Sequence, residues 1–270
     1  PEQRGAAMAR VMMGLAVAVL VGNPIATWLG QTLGWRAAFV LVSVIALATV
    51  AMIAWRLPAG MGTPRTDAAR ELRDFNRAPV WLALGIGAIG FAGMFCVFSY
   101  LTPTLYQVTG VGAGFVPLAQ VAFGIGSLLG AAAGGWLFDR FGFRAAGIVL
   151  GWSLLVLLLH PLAVRSVWTV LPLVLAVGTM GALGTVLQAH LVDVAREAQT
   201  LAAASHHAAF NTANALGPWL GGMAISAGYG WASTGYVGAA TALGGLLVYV
   251  LARRDLRLHG RDAAAGIATG

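Results

Sequence analysis

Eight times along this chain, a run of about 20 mostly apolar residues is closed off by a short polar connection. The runs are approximately Met12–Gln31, Ala37–Trp55, Val80–Leu101, Phe115–Phe138, Ala145–Leu162, Val167–Leu191, Ser205–Ala227 and Trp231–Leu251. The seventh is the least apolar. A helix of about 20 residues crosses the ~30 Å hydrocarbon layer of a bilayer. In lipid, each segment has to satisfy its own backbone N–H and C=O groups, which selects helices. The expected fold is therefore an all-α polytopic membrane bundle of about eight spanning helices. Composition points the same way: 59% of residues are hydrophobic and 9% charged, against about 45–50% and about 25% in soluble domains. That excludes an ordinary soluble enzyme and a disordered chain. The single cysteine, Cys96, excludes a disulfide framework.

Charge then orients the spans. All 16 basic residues are Arg, and 14 of them fall in alternate connections. Arg4 and Arg10 precede the first span; Arg56, Arg65, Arg70, Arg73 and Arg77 follow the second. Arg140 and Arg144 follow the fourth, Arg196 the sixth, and Arg253, Arg254, Arg257 and Arg261 the eighth. Only Arg36 and Arg165 lie in the intervening connections. Because positive residues stay on the cytoplasmic side, both termini and the long middle loop are expected there. The net charge of +7 marks topology, not a nucleic-acid partner. All nine acidic residues lie in or beside these same connections, so no carboxylate stands at the centre of a span.

A weak internal repeat adds a second constraint. Gly22-Asn23-Pro24 and Gly34-Trp35 recur as Leu216-Gly217-Pro218 and Gly230-Trp231, at offsets of 194 and 196 residues. The seventh span lies six after the first, as in transporters made of two six-helix halves. Projected backward from Val80, this repeat predicts four further helices, over roughly 115 residues, ahead of Pro1. The domain reading is then 1–58 for the last two helices of a first half and 59–79 for a cytoplasmic middle loop. Residues 80–252 form a second six-helix half, and 253–270 a cytoplasmic tail.

The fourth span ends Gly134-Gly135-Trp136-Leu137-Phe138-Asp139-Arg140-Phe141-Gly142-Phe143-Arg144. Gly135 permits close helix approach, and Gly142 supplies a tight turn. Asp139 suits the N-terminus of the following helix, and Arg140 and Arg144 can pair with it or with a neighbouring helix end. This block resembles the G-x-L-x-D-R-x-G-x-R loop signature of the major facilitator superfamily, through Gly135, Leu137, Asp139, Arg140, Gly142 and Arg144. It departs at Phe143, where the family often has Arg or Lys. Gly14, Gly22, Pro24, Ala26, Thr27 and Gly30 of the first span resemble the antiporter signature of the family's fifth helix, with Asn23 interrupting Gly-Pro. That departure, and the stretch from Asp193 to Pro218, are similar to the sugar-efflux and chloramphenicol-efflux subgroup. The resemblance implies helices five to twelve of a two-times-six-helix transporter, N-terminally truncated, in a bacterial inner membrane.

It also implies a central cavity lined by the first, third, fourth, sixth and seventh spans. Polar side chains in lipid usually face protein or water. Asn23, Gln120, Asn211 and Asn214 are accordingly cavity candidates, with Tyr100 among the aromatic residues of the third span. The same amides can equally serve as interhelical glue, and the Phe residues read as packing. Gly126, Gly130 and Gly134, and likewise Gly178, Gly181 and Gly184, read as helix-packing seams. Pro24 and Pro218 lie inside spans and should kink them; with Gly22 and Gly217 they are hinge candidates. Asp139, Arg140 and Arg144, with Gly135 and Gly142, form the candidate gating loop.

Other chemistry finds no support. Gly85-Ile86-Gly87-Ala88-Ile89-Gly90 spells a dinucleotide motif, but it opens an apolar span and the next acid is Asp139. His206 and His207 are adjacent and do not share a helix face, so no metal is expected. No cofactor and no catalytic constellation are expected either. The resemblance implies efflux of a small molecule by alternating access, coupled to protons. A passive exporter, or a non-transporting membrane subunit or sensor, are the alternatives.

Overall fold

The computed structural model describes residues 18–56, 75–195 and 198–268. Arg4, Arg10, Gly14, Arg196 and most of the middle loop lie outside them. A π-helical turn, Ala18–Gly22, leads into α1 (Asn23–Thr32), with Pro24 in its first turn. Proline is tolerated there because the first N–H groups of a helix have no intrahelical partner. The expected kink at Gly22-Pro24 is thus a change from π to α winding, a device that re-aims a helix without breaking it. Gly34, at φ 86°, turns the chain into α2 (Trp35–Arg56).

The second group of helices opens with α3 (Ala78–Gly90) and α4 (Ala92–Ser99), which together form one 22-residue span, followed by α5 (Leu101–Thr104). A π turn, Leu105–Thr109, closes on Gly110 in the left-handed region at φ 75°. Next come α6 (Phe115–Phe141), α7 (Arg144–Ala163), α8 (Val167–Thr179) and α9 (Ala182–Val194). Between α8 and α9 the backbone tightens: Met180 and Gly181 donate to the carbonyls of Val177 and Gly178, three residues back. The two helices still read as a single 28-residue span. Last are α10 (Gln199–Ala224), a π turn (Ile225–Tyr229) and α11 (Ser233–Ala268).

Six helical segments are long and apolar enough to cross a membrane. They correspond to the second to sixth and the eighth apolar runs. Helix α10 is long enough at 26 residues but falls outside that set, in line with its polar composition. The first run is described only from Ala18 onward. The helix of the eighth run also continues through Arg253 and Arg254 to Ala268, so the expected tail begins as an extension of the last span.

Glycine decides which helices touch. A β-carbon on Gly126 would run into the carbonyl of Leu175, and one on Gly130 would sit 2.5 Å from the carbonyl oxygen of Thr179. On Gly134 it would sit 2.6 Å from that of Ala182, while one on Gly178 would strike Phe123. Helix α6 therefore lies backbone to backbone against α8 and α9, as small residues at steps of four allow. Of the dinucleotide-like glycines only Gly90 works the same way, Gly85 and Gly87 meeting side chains at ordinary distances. Gly90 packs on Gly245 of α11, Gly93 meets the carbonyl of Gly238, and Gly217 of α10 lies against Ala92. The core fills the remaining space with Phe91, Leu150, Leu157, Leu183 and Leu187, all essentially buried. No residue of helix α2 is buried, and among the described elements its main contact is with α1.

Candidate functional site

The polar groups expected to line a cavity separate into three places. The first lies between α1 and α6. The hydroxyl of Thr27 donates to Gln120 Oε1 at 2.7 Å, and the pair is half-buried. Asn23 is four residues before Thr27 and also half-buried, so both lie on one side of α1. One turn on, Gln31 makes longer contacts, 3.4 Å to the Tyr106 hydroxyl and 3.5 Å to the Ala113 carbonyl. Sequence reasoning had picked Asn23 and Gln120 but not Thr27. Its one-turn spacing from Asn23 was the available signal.

The second place surrounds Pro218, which lies inside α10. Tyr100 is half-buried, and its hydroxyl donates to the Pro218 carbonyl at 2.8 Å. Its side chain covers Gly221 and Gly222, where added β-carbons would meet the ring at 3.1 Å and the hydroxyl at 2.6 Å. Pro218 has no N–H, so the Asn214 carbonyl loses its usual helical donor. Tyr100, Gly217 and Pro218 thus form one unit that fastens the end of α4 to α10.

The third place is the outer side of α10. Ala202, His206, Ala209, Ala213, Gly217 and Gly221 are buried against the bundle, whereas Asn211 and Asn214 are exposed. The structure does not bring these two amides together with Asn23 or Gln120. Between the three places stand aromatic contacts. Phe210 meets Phe91 and Phe95 edge-on at 5.3 and 4.9 Å, and Phe98 stacks on Phe123 at 4.0 Å. Burial of Phe91, Phe95 and Phe123 makes these rings packing groups.

The loop between α6 and α7 differs in detail from its sequence reading. Gly142, at φ 54°, makes the turn, and its N–H donates to the Phe138 carbonyl at 2.7 Å. Close approach belongs to Gly134, because nothing lies within 4 Å of a β-carbon on Gly135. Among the described residues, no ion pair joins Asp139 to Arg140 or Arg144, and Asp139 does not cap α7. All three side chains are exposed. Arg140 instead lies over the Trp136 and Phe141 rings at 6.0 and 5.9 Å, within cation–π range. Phe143, where the resemblance has Arg or Lys, stacks on buried His190 at 4.0 Å and leans on Tyr249 at 5.2 Å. Aromatic packing thereby ties the start of α7 to α9 and α11.

Comparison with known proteins accounts for this arrangement. The sequence profile described as Major Facilitator Superfamily matches residues 1–133 and again 84–267. The inner membrane transport protein YdhP of Escherichia coli K12 is 33% identical over 259 residues, 94% of this chain and 66% of that protein. The chloramphenicol resistance protein of Streptomyces lividans is 32% identical over 259 residues, covering 92% of this chain and 63% of the relative. The MFS-type transporter YtbD of Bacillus subtilis is 30% identical over 256 residues, covering 92% and 64%. The chain spans about two thirds of the length of these relatives. With profile and relatives covering nearly every residue, and a bundle of long apolar helices beneath them, the chain belongs to the Major Facilitator Superfamily.

Proposed function

We propose that this chain is the larger part of a secondary transporter that exports a small molecule, drug-like or sugar-like, across a bacterial inner membrane by alternating access. The observation that carries the reading is the Thr27–Gln120 bond. It is a polar contact between two helices of an otherwise apolar bundle, one turn from a third polar group, Asn23. Polar groups at such positions mark solute paths in membrane proteins. Family membership supports a transporter, and a relative in Pasteurella multocida named a probable sugar efflux transporter supports the direction.

In this reading Asn23, Gln120, Asn211 and Asn214 face the solute, with Thr27 added and Tyr100 moved to the hinge. Gly22 and Pro24, with Gly217 and Pro218, bend the helices that open and close the path. Asp139 and Arg140 at the end of α6, and Arg144 at the start of α7, with Gly135 and Gly142, bias one closed state. Four N-terminal helices in cis complete the first half, both termini are cytoplasmic, and protons drive export. In this reading the proton-coupling site belongs to that preceding segment.

The test uses inverted membrane vesicles carrying the whole reading frame. Uptake of radiolabelled chloramphenicol and of labelled arabinose is measured with and without a proton gradient. Gradient-dependent uptake that falls at least tenfold in Gln120→Leu supports the proposal. Uptake indifferent to a collapsed gradient refutes the proton coupling and favours a passive exporter. No uptake of any solute across a broad panel refutes the transporter reading and favours a binding or sensor role.

A further inference from the structure

At the arginine-bearing end of the bundle, a cleft of about 400 Å³ opens between the start of α7 and the end of α11. That is the size of a small-ligand site, about 300–1,000 Å³. We propose that this cleft binds one anionic phospholipid, with its phosphate held between Arg144 and Arg253 and the start of an acyl chain laid along Ile148, Leu246 and Val250.

The layout is amphipathic in the way such a lipid requires. Both arginines line the cleft, Arg144 exposed and Arg253 half-buried. Ile148 is one turn into α7 from Arg144, and Leu246 is seven residues into α11 from Arg253, about 10 Å deeper at 1.5 Å per residue. Ile148 and Val250 are apolar yet 47% and 42% exposed, so the cleft floor faces the surrounding hydrocarbon. Among the described residues no carboxylate lines the cleft, and neither arginine is held in an ion pair. Arg253 lies over the Tyr249 ring at 5.9 Å, which fixes the guanidinium while leaving its N–H edge free to donate.

The floor itself is preformed. The Tyr249 ring presses against the backbone at Gly147, where a β-carbon would collide with it. A smaller cleft lined by Tyr249, Val250, Arg253 and Arg254 adjoins the first and brings a third guanidinium alongside. Arginine forks match the paired oxygens of a phosphodiester. Basic pockets between spanning helices suit anionic headgroups for this reason, while a zwitterionic lipid gains little net attraction.

The experiment titrates the purified chain, in mild detergent, with phosphatidylglycerol or with phosphatidylcholine of the same acyl chains. Bound lipid is counted by native mass spectrometry. The expected result is one phosphatidylglycerol bound at least tenfold more tightly than phosphatidylcholine. R144Q/R253Q should lose that preference by about 25-fold, near fivefold for each arginine. Protection of buried Cys96 from a thiol reagent reports that each variant is folded. Where R144Q/R253Q is not protected, V250W carries the test: filling the floor with both charges intact should weaken phosphatidylglycerol binding at least fivefold. Equal binding of the two lipids overturns the proposal, as does unchanged binding by a folded R144Q/R253Q or by V250W. Displacement of the lipid by free glycerol phosphate at equal concentration overturns it in favour of a simple anion site.

Discussion

Gly134 and Gly135 are neighbours in α6, yet only one touches another helix. A β-carbon on Gly134 would stand 2.6 Å from the Ala182 carbonyl oxygen and 3.0 Å from its Cα; on Gly135 it would meet nothing within 4 Å. Replacing either by alanine raises helix propensity equally, by about 1 kcal/mol. Only Gly134→Ala forces α6 away from α9, by about 0.8 Å if the contact is to relax to the 3.4 Å of ordinary packing. A gap of that size forfeits a quarter to a half of each atom pair's ~0.1–0.2 kcal/mol. Gly126 and Gly130 share the seam, so some 20–30 pairs are stretched together, a loss of about 1–2 kcal/mol, within the ~1–3 kcal/mol usual for overpacking.

Cys96 provides the assay. It is the one cysteine of the chain and is fully buried, so a thiol-reactive dye reports unfolding directly. Gly134→Ala should melt about 2–8 °C below Gly135→Ala, taking ~2–4 °C per kcal/mol for a chain of this size. Melting points within about 1 °C of each other, or a lower one for Gly135→Ala, would refute the reasoning that this seam is held by backbone contact.

Four further outcomes can be measured on the same chain. Tyr100→Phe removes the bond to Pro218 and should cost about 0.5–1.5 kcal/mol, read as a lower Cys96-labelling temperature, while Tyr106→Phe should be near neutral. Thr27→Val and Gln120→Leu should couple by about 0.6 kcal/mol, and by no more than ~1.7, in a double-mutant cycle; independent effects would show that the bond does not form. Phe143→Ala uncovers His190 and should cost about 1–3 kcal/mol, and Phe143→Arg should not recover the loss, because the new charge would meet a stacking site. In a Cys96→Ala background, Asn211→Cys and Asn214→Cys should react with a water-soluble maleimide at least tenfold faster than Ala213→Cys, whose position is fully buried. Equal rates would put the amides outside any aqueous path.

Span positions were legible in the sequence because lipid leaves so little choice: an apolar run of the right length becomes a helix whatever its neighbours do. Glycine seams were legible too, since steps of four place small residues on one side of a helix. What could not be read was which partner each side meets. Gly134 and Gly135 are indistinguishable in a motif, and only the rotation of α6 tells them apart. Tyr100 was chosen as a cavity aromatic, but its hydroxyl has a partner 118 residues away. The charges of the α6–α7 loop suggested ion pairs, yet arginine also stacks on aromatic rings, and Trp136 and Phe141 were close enough in sequence to take Arg140.

The contacts rank the helix interfaces by how easily each could open. Separating α6 from α8 and α9 breaks a seam in which four glycines bring backbones together, and the lost dispersion accumulates along its length. The crossings of α3 and α4 on α10 and α11, at Gly90, Gly93, Gly217 and Gly245, have the same character. The described part of α1 meets α6 differently, through one short side-chain hydrogen bond, Thr27 to Gln120, and meets the segment ahead of α6 through two long ones from Gln31. Such bonds are worth about 0.6 kcal/mol each in a membrane protein, and water entering an open path would replace them. If the bundle rocks between two openings, the glycine-sealed helices should therefore move as units. The α1–α6 contact, where the polar residues gather, is where the structure can part at least cost.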